Sequence, residues 1–377
     1  MNKKRTIAIT SNTSWYIFNF RKNTILSLIR AGYSVIAIAP RDYYSIELAK
    51  LGCEYIDVPI DQGGTNPYRD IITLWSFYRI YSTLNIDVIL NFTPKNNIYS
   101  TLSAHFNGIK SINNIAGLGV LFVNENLVSK IAKYLYRISQ SKATRIFFQN
   151  QEDRALFLDR ILSSNVPTER LPGSGVDLSR FRLSPSPNDQ KVRFLLIARM
   201  LYDKGIGEYI EAGRKLKAIY GENVELQLLG FLDVDNPSSV SREDVEAWVE
   251  EGVVNYLGVS DCVEEVIAKA DCVVLPSYYR EGVPKSLLEA GAMGKPIVTT
   301  NNIGCRETVD DSVNGYLCKP RCVASLIEKL DLMISLSHEQ RLKMGEQSRL
   351  KMAREFDENI VIERYLSAIT ECFSDKS

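Results

Sequence analysis

Short runs of β-branched and aliphatic residues recur along the chain. Each is followed by a polar turn and then by a stretch with apolar positions three and four apart. Thr6–Thr10 (TIAIT) opens the pattern as a buried strand, SNTS is the turn, and residues 15–30 form a helix closing on Ala31 and Gly32. A strand over 33–39 stops at Pro40, a helix follows over 44–51, and strands are expected over 54–58 and 87–92. The same reading gives a strand at 146–149, a helix at 153–162, a strand at 193–198, a helix at 206–218 and a strand at 225–230. A helix around 245–250 and a strand in VVNYLG come next. Alternating strands and helices predict parallel sheets covered by helices, an α/β fold.

The alternation breaks once, at LPGSGVDLSRF running into LSPSPNDQ, where Gly, Pro and Ser replace apolar runs. A chain of 377 residues is long for a single core, which stops growing near ~250 residues. The break therefore predicts a first domain over 1–182, a second over 183–356 and a terminal segment over 357–377. Helices are expected over 323–336 and 339–356, and Asn314-Gly315 is expected to be a hairpin-type turn before the last strand.

Composition narrows the class. Hydrophobic residues make up 45% and charged residues 24%, an ordinary globular balance, and no run approaches the ~18 apolar residues of a spanning helix. MNKKRTIAIT has no apolar h-region, so a cytoplasmic protein is expected. The seven cysteines are scattered and read as reduced thiols, and the two histidines, His105 and His338, lie far from them in sequence, so no metal site is expected. Net charge is zero, yet residues 1–182 hold 22 Lys and Arg against 13 Asp and Glu, while 183–377 hold 23 against 32. A basic first half implies either an anionic partner or attraction between the domains.

The richest stretch is 275–300, LPSYYREGVPKSLLEAGAMGKPIVTT. It reads as a strand end, a turn, a helix opening at Pro284 as its first residue, and a second buried strand. A helix N-terminus at a strand's C-terminal end is where open α/β sheets bind ligands. The N–H groups of Lys285, Ser286 and Leu287, with the helix dipole, favour a phosphate there. Glu281 in the turn and Glu289 inside the helix flank this point, and each carboxylate can accept two hydroxyl hydrogen bonds, which suits a sugar at one end and a ribose at the other. The ligand described is a nucleotide sugar.

The E-x7-E spacing in this setting resembles the donor site of the retaining GT-B glycosyltransferases of family four. The strand-to-helix turn with Arg199, Asp203, Lys204 and Gly205, the crossover GSGVD, and the GLG loop at 117–119 resemble the same family. The resemblance implies two Rossmann-like domains with parallel sheets facing across a cleft, and a last helix, 359–373, packing back on the first domain. It implies catalytic roles for Arg199 and Lys204, on the donor diphosphate, and for Glu281, on the transferred sugar. Glu289 would hold the ribose, Lys285, Ser286 and Leu287 the diphosphate, and the backbone of Gly258, Val259 and Ser260 the base. Asn12, Lys95, Gly117 and Gly119 would face the acceptor. Where many members of the family carry a histidine, Asn113 and Asn114 stand here. REGVPKSLLEA, DCVVLPS and the GLG loop look most like members adding N-acetylhexosamine or galactose to undecaprenyl-diphosphate-linked sugars. The expected donor is thus a UDP-sugar, UDP-GalNAc first, and the expected acceptor lipid-linked, with no cofactor, no metal and no nucleic acid.

The segment ENLVSKIAKYLYRISQSKATRIFF places Leu127, Ile131, Leu135 and Ile138 at helical spacing among Lys130, Lys133, Arg137 and Lys142. Such a basic amphipathic helix suits either the anionic inner face of a cytoplasmic membrane or the flank of a domain. Lys95 reads as an anion contact or as a solvated lysine. Two other classes remain open: an epimerase or phosphorylase on a related double-Rossmann scaffold, and a non-catalytic basic membrane or nucleic-acid binder.

Overall fold

A computed structural model describes residues 4–64, 66–118, 127–162 and 165–374. Gly119, singled out above, lies outside the described residues. The chain divides into two compact units, residues 1–171 with 359–377, and residues 172–358.

Unit 1 runs β1 (Thr6–Thr10), α1 (Ser14–Arg30), β2 (Ser34–Ala39), α2 (Tyr44–Lys50), β3 (Glu54–Asp57), α3 (Pro67–Thr83), β4 (Val88–Asn91), α4 (Thr101–Phe106), β5 (Lys110–Ile115), α5 (Leu127–Gln140), β6 (Arg145–Phe148), α6 (Gln151–Arg160) and β7 (Thr168–Arg170). The strands form one parallel sheet in the order β3-β2-β1-β4-β5-β6-β7. Successive strand side chains point to opposite faces, so Ile7 and Ile9 enter one core while Ala8 enters the other. Both faces are covered, which is why the central strands read as continuous apolar runs rather than alternating ones.

Unit 2 runs β8 (Val192–Ile197), α7 (Ile206–Tyr220), β9 (Val224–Leu229), α8 (Arg242–Glu250), β10 (Asn255–Tyr256), α9 (Val263–Lys269), β11 (Cys272–Leu275), α10 (Lys285–Ala292), β12 (Ile297–Thr300), β13 (Gly315–Cys318), α11 (Val323–Ser335) and α12 (His338–Glu355). Its parallel sheet has the order β10-β9-β8-β11-β12-β13. The last helix, α13 (Glu358–Ser374), buries Val361, Tyr365, Ile369 and Cys372 in the β1–β4 core of unit 1. In each sheet the chain winds outward from one strand and returns to its other side. The order thus reverses between β1 and β4 in unit 1 and between β8 and β11 in unit 2, and such reversals leave a crevice at the strands' C-terminal ends.

Several expectations change. The break at 172–182 belongs with unit 2: Val176 N–H donates to Phe356 O at 2.8 Å, Glu358 N–H donates to Val176 O at 3.1 Å, and Arg349 donates to Phe181 O at 2.7 Å. Pro284 is the cap of α10 rather than its first residue. Asn314-Gly315 makes no hairpin, because β13 lies parallel to β12 with Gly315 opposite Ile297, and a Cβ at Gly315 would fall 1.9 Å from Ile297 O. Helix α3 was passed over, although Asn66 caps it through Tyr68 N–H and Pro67 opens it, a readable start signal.

Candidate active site

The unit 2 crevice is assembled from the ends of β8 and β11. After β8 the chain exposes Arg199, whose side chain makes no ion pair among the described residues. A short 3₁₀ turn, Tyr202–Lys204, then ends on Gly205 at φ +78°, and a Cβ there would lie 2.2 Å from Pro276 O. Only glycine lets the β8 turn press against the end of β11 so closely. The contact is held by Asp203 O, which accepts from Tyr278 N–H and Tyr279 N–H, both at 3.1 Å.

This approach sets Lys204 beside Glu281, with their half-buried side chains in a short ion pair. Ser277 Oγ donates to the same carboxylate oxygen at 3.0 Å, and the Lys204 ammonium stands 5.3 Å from the Tyr279 ring centre. The loop carrying Glu281 rests on Gly304 at φ +83°, where a Cβ would lie 1.6 Å from Gly282 O. The predicted pair is therefore one constrained cation–carboxylate unit.

Helix α10 starts directly after this loop. Of the three N–H groups expected to face a phosphate, that of Leu287 is already spent on Pro284 O at 3.2 Å, while Lys285 and Ser286 occupy the first two positions of the open end. Glu289, one turn further on, is half-buried, and burial pushes its carboxyl up to about 7, against the pull of Lys285 and Arg180, with Glu264 adding to the rise. Arg180 itself is bonded to Glu264 at 2.8 Å and to Asp261 O at 3.0 Å. Gly258 sits at φ +75° with its carbonyl accepting Gly230 N–H at 2.8 Å, and Val259 is exposed beside it. Ser260 Oγ accepts Cys262 N–H at 3.1 Å. The turn therefore offers main chain, not side chains, to a ligand.

In unit 1 the residues expected to face an acceptor separate. Lys95 is bonded to Asp70 at 2.6 Å, and Tyr99 donates to the other oxygen of Asp70 at 2.9 Å, so its charge is compensated rather than offered. Asn12 N–H donates to Thr93 Oγ1 at 3.1 Å, tying the end of β1 to the segment after β4. Gly117 is half-buried, and the next residue, Leu118, donates its N–H to Asp153 at 3.2 Å. His105 is exposed, as expected of a residue outside the chemistry, and His338 is half-buried at the start of α12.

Residues 180–351 match the family model for glycosyl transferases group 1. That match spans most of the second unit. The whole chain is 29% identical to the N,N'-diacetylbacillosaminyl-diphospho-undecaprenol alpha-1,3-N-acetylgalactosaminyltransferase of Campylobacter jejuni, with 96% of this chain and 97% of that one covered. It is also 21% identical to the UDP-Gal:alpha-D-GlcNAc-diphosphoundecaprenol alpha-1,3-galactosyltransferase of Escherichia coli, over 70% of each chain. Among solved structures, sucrose-phosphate synthase of Thermosynechococcus elongatus superposes with a TM-score of 0.83 at 17% identity, covering 99% of this chain and 100% of that one. HepE of Anabaena in complex with UDP-glucose superposes with a TM-score of 0.76 at 16% identity, covering 98% and 99%. The structural likenesses show the fold of this chain, two Rossmann-like domains of the GT-B class.

Sequence reasoning missed the groups that hold the site in shape. Ser277, Tyr279 and Arg180 carry no motif signal, since their roles follow from which loops meet. The Asp70 partner of Lys95 lies in α3, the helix passed over. A third omission concerns the burial of Asn96, Asn97 and Asn114, the last named above only for its place in the sequence; all three are fully buried at the C-terminal ends of β4 and β5. Asn96 Nδ2, Asn97 Oδ1 and both amide atoms of Asn114 have no hydrogen-bond partner among the described residues. Each such group costs about 1–3 kcal/mol, so the cluster is not a packing solution by itself.

Proposed function

We propose that this glycosyltransferase moves N-acetylgalactosamine, or another hexose or N-acetylhexosamine, from a UDP-sugar to a polyprenyl-diphosphate-linked saccharide in surface polysaccharide or glycan assembly, with retention of configuration and without a metal. The observation that carries the reading is the Lys204–Glu281 unit at the β8/β11 reversal, with Arg199 on one side and the open end of α10 on the other. Breaking the bond between the anomeric carbon and phosphate calls for fixed positive charge where the nucleotide diphosphate departs. Arg199 and the α10 N-terminus supply it, and Lys204 adds to it while shared with Glu281. Glu281, anchored by Lys204 and Ser277, orients the sugar. Glu289 takes the ribose hydroxyls, and the main chain of residues 258–260 takes the base. The departing phosphate accepts the acceptor's proton on the same face, so no separate base is needed. The two relatives named above, whose names give undecaprenol-diphosphate-linked sugars as their acceptors, support the substrate class.

A position on the inner face of the cytoplasmic membrane belongs to the same reading. No helix among the described residues is long and apolar enough to cross a membrane. Yet α5 exposes Leu127, Val128, Ile131 and Tyr134, and α3 exposes Tyr68, Ile71, Trp75 and Tyr78. The apolar stripe expected on α5 is thus turned outward at Leu127 and Ile131, while Leu135 alone packs against the core from its partly buried position. Arg137 is committed to the end of α6 through Arg160 O at 3.1 Å, which leaves Lys130 and Lys142 among the cations for headgroups.

The test is release of UDP from a panel of UDP-sugars with and without a short-chain polyprenyl-diphosphate saccharide, in buffer and in excess EDTA. Acceptor-dependent release, greatest with UDP-GalNAc and unchanged by EDTA, is the expected result. Release that ignores the acceptor points to an epimerase or hydrolase, and loss of activity on chelation, restored by Mg²⁺, overturns the metal-free mechanism.

A further inference from the structure

The β1/β4 reversal of unit 1 holds a buried polar network that the donor chemistry does not use. Thr10 donates to Asn91 at 2.6 Å, Asn91 to Asn113 at 2.8 Å, and Asn113 to Gln140 at 2.7 Å, while Gln140 donates to Asn97 O at 2.6 Å. Those amides are paired at both ends. The adjoining amides are not, although Asn97 Nδ2 reaches Asn114 O at 2.9 Å and Asn96 Oδ1 accepts from Thr93 at 2.6 Å. The unpaired set contains donors, Asn96 Nδ2 and Asn114 Nδ2, and acceptors, Asn97 Oδ1 and Asn114 Oδ1. They surround a π-helical turn, Asn96–Ser100, a device that recurs at functional sites.

We infer that Asn96, Asn97 and Asn114 bind the acetamido group of an N-acetylated sugar ring in the acceptor. The inference rests on the glycosyltransferase reading above and deepens it. Three features select this ligand. The nearest cation, Lys95, is neutralised by Asp70, so nothing here favours a phosphate or carboxylate. Unpaired donors and acceptors occur together, which suits a group offering both. A trans amide points its N–H and C=O in opposite directions, so it needs a donor from one side chain and an acceptor from another, and the cluster supplies them on different asparagines. These atoms are closed to solvent here, so binding requires a local opening that admits the acetamido group.

The experiment titrates the full chain, with UDP bound, with methyl 2-acetamido-2-deoxy-galactoside and with methyl galactoside, followed by ligand-observed NMR. The acetamido glycoside should bind at least ~10-fold tighter in the wild type, and Asn114→Leu should abolish that preference. Leucine keeps the branched shape of asparagine, though it is larger, and removes unpaired polar atoms, so the gain offsets the added bulk and its melting temperature should hold. UDP affinity reports on an intact unit 2, and Asn97→Ser gives a second, gentler variant. A rise in melting temperature with the preference intact makes the cluster a structural flaw only and overturns the inference. A changed ratio of UDP-GalNAc to UDP-Gal affinity in Asn114→Leu assigns the cluster to the donor sugar and also overturns it. If the wild type releases no UDP from any donor, the function reading fails, while the glycoside titration still decides the subsite.

Discussion

The two sheet reversals are built alike and furnished differently. At β8/β11 the crevice is lined by charge, with Arg199 exposed, Lys204 locked to Glu281, and Glu289 pushed towards neutrality by burial. At β1/β4 the strand ends carry buried amides and hydroxyls, and Lys95, next to them in sequence, is compensated by Asp70. The same topology thus yields one place suited to a leaving diphosphate and one suited to a neutral saccharide. The contrast teaches that a strand-order reversal fixes where a ligand sits, whereas the few side chains after each strand fix what it is.

The sharpest way to break the comparison is to spoil the backbone that makes the charged crevice. Gly304→Ala puts a Cβ into Gly282 O at a positive φ, and should cost about 3–4 kcal/mol, read as a shift of the urea midpoint together with loss of activity. A variant that melts like the wild type would show that the Glu281 loop is not held by this contact. Next in size, Arg199→Ala or Lys204→Ala should lower kcat about 10²-fold at saturating donor, the scale for deleting a fixed transition-state charge. Near-normal turnover in both would remove the diphosphate role from the charged crevice.

Glu289 supplies a smaller, pH-coded effect. Its carboxyl titrates near 7 in the free protein, so the ionised fraction falls about tenfold for each pH unit below that value. UDP affinity should therefore weaken from pH 8 to pH 6, and Glu289→Gln should flatten the profile. Stability runs the other way. A raised carboxyl pKa favours the folded state fully below the ordinary glutamate range, and this contribution is lost as pH rises through about 7. Thermal midpoints of wild type and Glu289→Gln should converge at low pH and separate above 7, and parallel curves would contradict the shift. The smallest effect concerns the outer face of unit 1. Replacing Lys130 and Lys142 with glutamine should weaken flotation with anionic vesicles by about tenfold for two cations near 1 kcal/mol or less each, and Trp75→Ala should weaken it further. Absence of wild-type flotation at low salt would leave α3 and α5 facing something other than a bilayer.

Particular residues show what was readable. The strands at Thr6–Thr10 and Cys272–Leu275, the α10 region and the pairing of cations with E-x7-E could be read because local pattern and turn chemistry agree there. Helix α3 carries an equally local start signal in Asn66-Pro67. The neutralisation of Lys95, by contrast, had no local sign: Asp70 is 25 positions away and meets it only because α3 packs beside the turn after β4. The outward turn of Leu127 and Ile131 was hidden for a related reason. A helical stripe announces an apolar face without saying what covers it.

Local pattern alone set the alternation of strands and helices, a Gly-, Pro- and Ser-rich break with the boundary read at 182, the unequal charge of the two halves and the residue types at the ends of β8 and β11. These follow from side-chain period, Gly and Pro conformational limits and composition, all of which are local. Only the tertiary structure decided that Lys204 would clasp Glu281, that Lys95 would be spent on Asp70, and that three asparagines would be buried with their amides unpaired. Those outcomes depend on which loops the sheet order brings together and on how much water burial removes, and neither quantity is written at any one position of the chain.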